Sequence, residues 1–133
     1  MTRAYLDPSA LVKLVLEEAE SRQLASFLTG RAPVTSAVAS VEVPRAALGA
    51  TGRGRPFRRA LDLVAGCEQL ALDDATRQLA ATLEPPALRA LDAIHLASAL
   101  RVQDLVDVFV TYDRRLAAAA RDAGFEVASP GRD

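Results

Sequence analysis

Cysteine is nearly absent from this chain. Cys67 stands alone, which excludes an internal disulfide and any paired-cysteine metal or redox motif. Histidine is equally scarce: with His95 as the only one, a structural zinc site lacks ligands. An excess of either charge is missing too. Sixteen Lys and Arg face seventeen Asp and Glu, a formal net charge of -1, so no global field draws in nucleic acid or an acidic membrane. Any such partner must be held by a local patch. No apolar run approaches the roughly 18–20 residues that span a bilayer. Asp7 interrupts the first apolar run, so no signal peptide is expected at the N-terminus. The lone cysteine suits a reducing compartment, and a cytoplasmic location is expected. Lys13 is the only lysine; the remaining basic side chains are arginines.

What is present is a core. Half of the 133 residues are hydrophobic and 25% are charged, which fits one globular domain over 1–133 and excludes disorder and low complexity. Tyr5-Leu6 read as a short buried strand stopped by Asp7-Pro8. A helix is expected from Ser9 through Leu11, Val12, Val15 and Leu16, closed by Glu17-Glu18. A second carries Leu24, Phe27 and Leu28 and stops at Gly30. After a very short strand at Pro33–Thr35, Ser36 is expected to cap a third helix running to about Ala50, kinked near Ser40 by Pro44. Thr51–Pro56 is the clearest break. A fourth helix follows to Gly66, then a strand at Gln69–Leu72, then a helix capped by Asp73 or Asp74 and broken at Glu84-Pro85-Pro86. A sixth helix is expected over Ala90–Val102, the strongest strand over Asp107–Thr111, a seventh helix to Gly124 and a last strand at Glu126–Ala128. The tail from Ser129 is expected to fray.

Strands that alternate with helices and are themselves short and apolar predict an α/β fold. It is a three-layer α/β/α sandwich around a short, mostly parallel sheet. Ligands of such sheets bind beyond the carboxyl ends of the strands. Asp7 and Asp113 lie just past strand ends.

Most acidic residues have ordinary structural readings, but four stand out. Asp7 and Asp113 each fit a helix cap about as well as a site. Asp92 suits the dipole at the start of the sixth helix. Its flanks, Leu91 and Ala93-Ile94, suggest burial, and Pro85-Pro86 place the true cap several residues earlier. Glu42, between Val41 and Val43, reads as an exposed glutamate on the helix's far side and is the weakest of the four. Two strand-end aspartates of a parallel sheet can converge on one crevice, and Asp92 and Glu42 can reach it from their helices. Carboxylates about 4 Å apart repel by roughly 4 kcal/mol at an effective dielectric near 20. Protonation or a divalent cation must relieve that repulsion. Oxygen ligands without a His or Cys cluster favour Mg²⁺ or Mn²⁺ over zinc. Such an ion activates water and stabilises an anionic phosphoryl oxygen, which suggests phosphodiester hydrolysis.

Ser9 and Thr111 flank the strand-end aspartates and can support a carboxylate from behind, though strand propensity explains Thr111 as well. His95, three residues after Asp92, reads first as a packed histidine bonded to backbone, and second as a substrate contact or proton carrier. Arg45, Arg53, Arg55, Arg58 and Arg59 crowd the glycine-rich break as a candidate phosphate grip or simply a solvated face; Arg114 and Arg115, nearer the proposed pocket, carry the same two readings. No phosphate-binding glycine loop is present.

The segments Tyr5-Leu6-Asp7-Pro8-Ser9-Ala10-Leu11-Val12-Lys13, Val41-Glu42-Val43, Leu91-Asp92-Ala93-Ile94-His95-Leu96-Ala97-Ser98-Ala99-Leu100 and Val110-Thr111-Tyr112-Asp113 occur in that order over nearly the whole chain. In this they resemble the PIN-domain family, and more closely its VapC-type toxins from bacterial toxin–antitoxin pairs. The resemblance implies an Mg²⁺- or Mn²⁺-dependent endoribonuclease that cuts structured RNA, often transfer or ribosomal RNA. It implies an acidic set of Asp7, Glu42, Asp92 and Asp113, with Asp7 and Asp92 the main metal ligands, Glu42 and Asp113 completing the pocket directly or through water, and Thr111 in support. It also implies a homodimer and a cognate VapB-like antitoxin that blocks the site. Pro44 departs from the family pattern and puts the aim of Glu42 in question.

Two other acidic-pocket enzymes fit poorly. A haloacid-dehalogenase-like phosphatase needs a second aspartate where Ser9 stands, and a response-regulator receiver needs a lysine at a late strand end. A non-catalytic module whose acidic crevice receives an Arg-rich peptide remains the alternative.

Overall fold

A computed structural model describes residues 2–132. Five strands, β1 (Thr2–Leu6), β2 (Arg31–Ser36), β3 (Glu68–Leu70), β4 (Val108–Val110) and β5 (Val127–Ala128), form one sheet in the order β3-β2-β1-β4-β5. Every pairing is parallel. The helices are α1 (Pro8–Val12), α2 (Ser21–Phe27), α3 (Ala39–Thr51), α4 (Arg55–Ala65), α5 (Asp74–Thr82), α6 (Ala90–Leu100) and α7 (Arg114–Asp122).

Strand alternation divides the core. Ala4 and Leu6 of β1, with Val108 and Val110 of β4, pack with Leu11, Val43, Ala47 and Val64 from α1, α3 and α4. Tyr5 and Phe109, pointing to the opposite face, pack with Leu96 and Ala99 of α6 and Leu116 and Ala120 of α7. Each fully buried large apolar side chain contributes about 1.5–3 kcal/mol. These two faces make the expected α/β/α sandwich, and β1 and β4 lie side by side at its centre, so their carboxyl ends deliver Asp7 and Asp113 to one edge.

Several expected boundaries move. The first helix ends at Val12, because Lys13, Leu14 and Val15 each donate to the carbonyl three residues back and wind the chain into turns. The third helix starts at Ala39, not after Ser36, whose hydroxyl accepts from Val38 N at 3.2 Å. Ser40 therefore lies in the first turn of α3, and the helix runs unbroken through Pro44 to a stop at Gly52, whose φ of 70° favours glycine. The third strand is Glu68–Leu70, the sixth helix ends at Leu100, and the fourth strand is Val108–Val110. The tail does not fray through Arg132. Ser129 Oγ donates to Thr111 O at 2.6 Å, Tyr112 Oη donates to Pro130 O at 2.7 Å, and Arg132 pairs with Glu20 at 2.8 Å. Asp133 lies outside the described residues.

Candidate active site

Asp7 ends β1 and caps α1. Its Oδ1 accepts from Ala10 N at 3.1 Å and from Ser9 Oγ at 2.7 Å, and its Oδ2 accepts from Thr111 Oγ1 at 2.7 Å. The carboxylate is only 2% exposed. Burial pushes it above the usual aspartate range; the hydrogen bonds from Ser9 and Thr111, the nearby His95 and the Ala10 amide pull the other way.

Thr111, just past β4, links two of the acids. Its hydroxyl donates to Asp7 and accepts from Asp113 N at 3.1 Å. Ser9 does the same one residue over, donating to Asp7 and accepting from Tyr112 N at 2.9 Å. Ser9 and Thr111 thus both donate to the Asp7 carboxylate. Asp113 caps α7, with Oδ1 accepting from Leu116 N at 3.0 Å.

Glu42, Asp92 and Asp113 meet at one cleft of about 440 Å³, together with Arg89, Ala90 and Leu91. Asp7 is not on its wall; it lies buried and joins the cleft through the Thr111 link to Asp113. Among the described residues no three His, Cys, Asp or Glu side chains are grouped closely enough to hold an ion as they stand. The four acids share one end of the sheet without forming a closed cage. Asp92 is in the first turn of α6, whose cap position, Arg89, makes no side-chain cap bond; the expected earlier cap near Pro85-Pro86 is absent because that stretch is turn. The burial its flanks suggest for Asp92 is partial: its side chain is 22% exposed, and Leu91 is 48% exposed on the cleft wall. Burial, then the charge of Asp113, push Asp92 above its ordinary range, with Arg89 opposing.

Arg89 was not singled out by the sequence reading. It lies 3.9 Å from Asp92 Oδ2 and 4.0 Å from Asp113 Oδ2, the counter-cation of the acid pair. Its spacing of three residues before a helix-start aspartate was the available signal.

His95 corrects another expectation. It is fully buried and bonded to side chains rather than backbone: Nε2 is 2.7 Å from Glu42 Oε1 and Nδ1 is 2.8 Å from Tyr5 Oη. A carboxylate only accepts, so Nε2 carries a hydrogen. Burial raises the Tyr5 phenol well above its ordinary value, so it stays protonated and its hydroxyl is the partner of Nδ1. Tyr5, His95 and Glu42 thus form a relay from the core to the cleft, and Glu42 is held in place despite Pro44.

The candidate arginines separate. Arg45 lies one turn after Glu42 on α3. Arg53, 6.0 Å from the Phe57 ring, and Arg55 lie at the α3–α4 turn and α4 start, and neither lines the cleft. Arg114 lines a neighbouring cleft that shares Asp113; Arg115 lines neither.

A family model described as the PIN domain matches residues 4–122. The chain belongs to the PIN-domain family. Within it, the chain is 40% identical over 132 residues to ribonuclease VapC47 of Mycobacterium tuberculosis, covering 96% of each chain. The fold is similar to that of the crystal structure of Mycobacterium tuberculosis VapC20, described as a sarcin-ricin loop cleaving toxin, with a TM-score of 0.76, 15% identity and coverage of 96% and 99%. It is also similar to a structure from the VapBC toxin–antitoxin family, VapBC-5 of the same organism, with a TM-score of 0.59, 21% identity and coverage of 96% and 97%. The acids that this PIN domain brings together lie within the matched region. No helix among the described residues is long and apolar enough to cross a membrane.

Proposed function

We propose that this PIN domain is the endoribonuclease toxin of a type II toxin–antitoxin pair, hydrolysing phosphodiester bonds of transfer or ribosomal RNA with Mg²⁺ or Mn²⁺. The observation that carries the reading is the meeting of Glu42, Asp92 and Asp113 on one cleft, with Asp7 locked to Asp113 through Thr111. The donor set fits a hard divalent ion: it is all carboxylate, Asp92 and Asp113 repel, and a guanidinium already lies beside both. Asp7, Asp92 and Asp113 would hold the metal, Asp113 directly or through water. When bound, the ion supplies Lewis acidity, activating water and offsetting charge on the phosphoryl oxygen.

The chain's own residues do the rest. Ser9, Thr111 and the Ala10 amide fix Asp7 so that its one remaining lone pair, on Oδ2, keeps one direction. His95 holds Oε1 of Glu42, leaving the second oxygen to orient the attacking water and take its proton. Arg89, on the wall of the same cleft beside Asp92 and Asp113, would contact the scissile phosphate. The toxin reading brings with it a VapB-like antitoxin as partner, a homodimer, and a cytoplasmic site of action.

One observation favours a second reading. Asp92 and Asp113 already receive a guanidinium, so the cleft is equally suited to an Arg-rich partner peptide without turnover. Incubating bulk transfer and ribosomal RNA with the protein and Mn²⁺ separates the two. We expect cutting that EDTA stops and that Asp7→Asn and Asp92→Asn each lower by at least about a hundredfold. Cutting that persists in EDTA overturns the metal mechanism, and the absence of any cutting favours the binding module.

A further inference from the structure

A second cleft, of about 330 Å³, shares Asp113 with the acidic one but is not lined by Arg89. Arg114, Arg121 and Arg132 line it, with Ala117 and Ser129 beside them and Asp113 shared with the acidic cleft. Resting on the nuclease reading, we propose that this cleft is the subsite for an RNA backbone phosphate adjacent to the one being cut.

The arrangement is built rather than incidental. Arg132 is fixed: its guanidinium donates to Glu20 Oε2 at 2.8 and 3.0 Å and to Tyr112 O at 3.2 Å, and it lies 5.2 Å from the Tyr112 ring centre. Ser129 is fixed by its bond to Thr111 O. Arg114 and Arg121 are one α7 face, two turns apart, with the small side chain of Ala117 between them leaving the space open. Neither has a carboxylate within ion-pair distance among the described residues. Arg121 suits the C-terminal end of its helix, but Arg114 is at the first position of α7, where the helix dipole disfavours a cation. Helix stability therefore does not account for Arg114. Arg132 is already neutralised by Glu20, but Arg114 and Arg121 bring two guanidinium groups, unpaired among the described residues, to the same small hollow, and an anion relieves them. Because Asp113 lines both clefts, an anion here neighbours a phosphate in the acidic cleft.

The test is binding of fluorophore-labelled bulk transfer RNA in EDTA, where cutting is stopped, titrated with salt. Losing one phosphate contact makes the slope of log K against log salt shallower by about 0.7–0.9 and weakens binding about tenfold at low salt. We expect this of the Arg114→Gln/Arg121→Gln pair. The Arg22→Gln/Arg77→Gln pair, with the same charge change on α2 and α5, is expected to keep the wild-type slope. An unchanged slope in the first pair, or an equal change in both pairs, overturns the subsite while Mn²⁺-dependent cutting by wild type leaves the nuclease reading standing. Wild-type protein that neither binds nor cuts RNA overturns both.

Discussion

Two charged regions flank the carboxyl end of β4, and they are solved in opposite ways. On the tail side, Glu20 lies between Lys13 Nζ at 3.0 Å and Arg132 at 2.8 Å, and both cations lie over the Tyr112 ring. Every charge has a partner there, and those two cations hold the Glu20 carboxyl down at about 2. On the cleft side, Asp92 and Asp113 share a single guanidinium at 3.9 and 4.0 Å, and Asp7 is buried with hydrogen bonds but no cation of its own. Asp7 and Asp92 are both pushed above their ordinary range. The tail region is organised for stability. The cleft carries unsettled negative charge, and a domain of marginal net stability retains that only where it does chemistry.

The largest expected effect sharpens that contrast directly. A ligand that binds only the folded state stabilises it by about 2.7 kcal/mol at a hundredfold excess over its Kd. Millimolar Mn²⁺ should therefore raise the melting temperature of wild-type protein by several degrees, and do so much less for an Asp92→Asn/Asp113→Asn pair. Equal shifts in the two proteins would place the ion elsewhere.

A smaller effect uses pH to set one region against the other. In metal-free protein, Asp7 has a folded pKa above its unfolded value, so the folded state binds the extra proton and stability falls as pH rises through the window from about 4 upward. Asp7→Asn should remove that loss and melt higher than wild type at pH 8, with the gap closing towards pH 4. Glu20 has the opposite sign: its contribution is full above the ordinary glutamate value and is lost as pH falls towards 2. Glu20→Gln should accordingly lower the melting temperature at pH 7 and make little difference at pH 2. Thermal melts across pH 2–8 read both, and a shared sign would break the distinction between the regions.

How much of this was legible beforehand follows from the range of each interaction. The sheet and its strand-end aspartates are local: an apolar run stopped by Asp7-Pro8, and Val108-Phe109-Val110 followed by a helix start, carry their own signals. Glu42 is the weakest of the acids in the sequence because, between Val41 and Val43 in an apolar helix, it reads as an exposed glutamate on the helix's far side. Helical phase resolves it, since Val43 is buried while Val41 is 60% exposed, leaving Glu42 between core and cleft. The partners of Glu42 are a different matter. His95 is 53 positions away and Tyr5 is 90 from His95, and no local pattern pairs them. The tail was misjudged for the same reason, because Arg132 finds Glu20 across 112 positions. The first helix was drawn too long because turns bonded three residues back keep apolar spacing close to that of a helix.

The smallest expected effect tests the Tyr5–His95–Glu42 relay, and the scarcity of histidine makes it clean. Tyr5→Phe keeps the ring that stacks on Phe109 at 5.1 Å and removes only the hydroxyl. The loss of one buried hydrogen bond should cost about 1 kcal/mol of stability. Because His95 is the only histidine, its ¹⁵N spectrum has one imidazole to report. In wild type it should show a single form with the hydrogen on Nε2, the atom that donates to Glu42. Without the phenol, Nδ1 loses its partner, and the spectrum should shift towards a mixture. Glu42 is then held less firmly, so cutting should slow by up to about tenfold, within the range for groups that orient a reacting side chain. His95 is a positioning residue in this account, acting through Glu42 rather than on the substrate. An imidazole spectrum identical in both proteins, with equal cutting, would show that Glu42 keeps its aim without the relay and that Tyr5 and His95 serve packing alone.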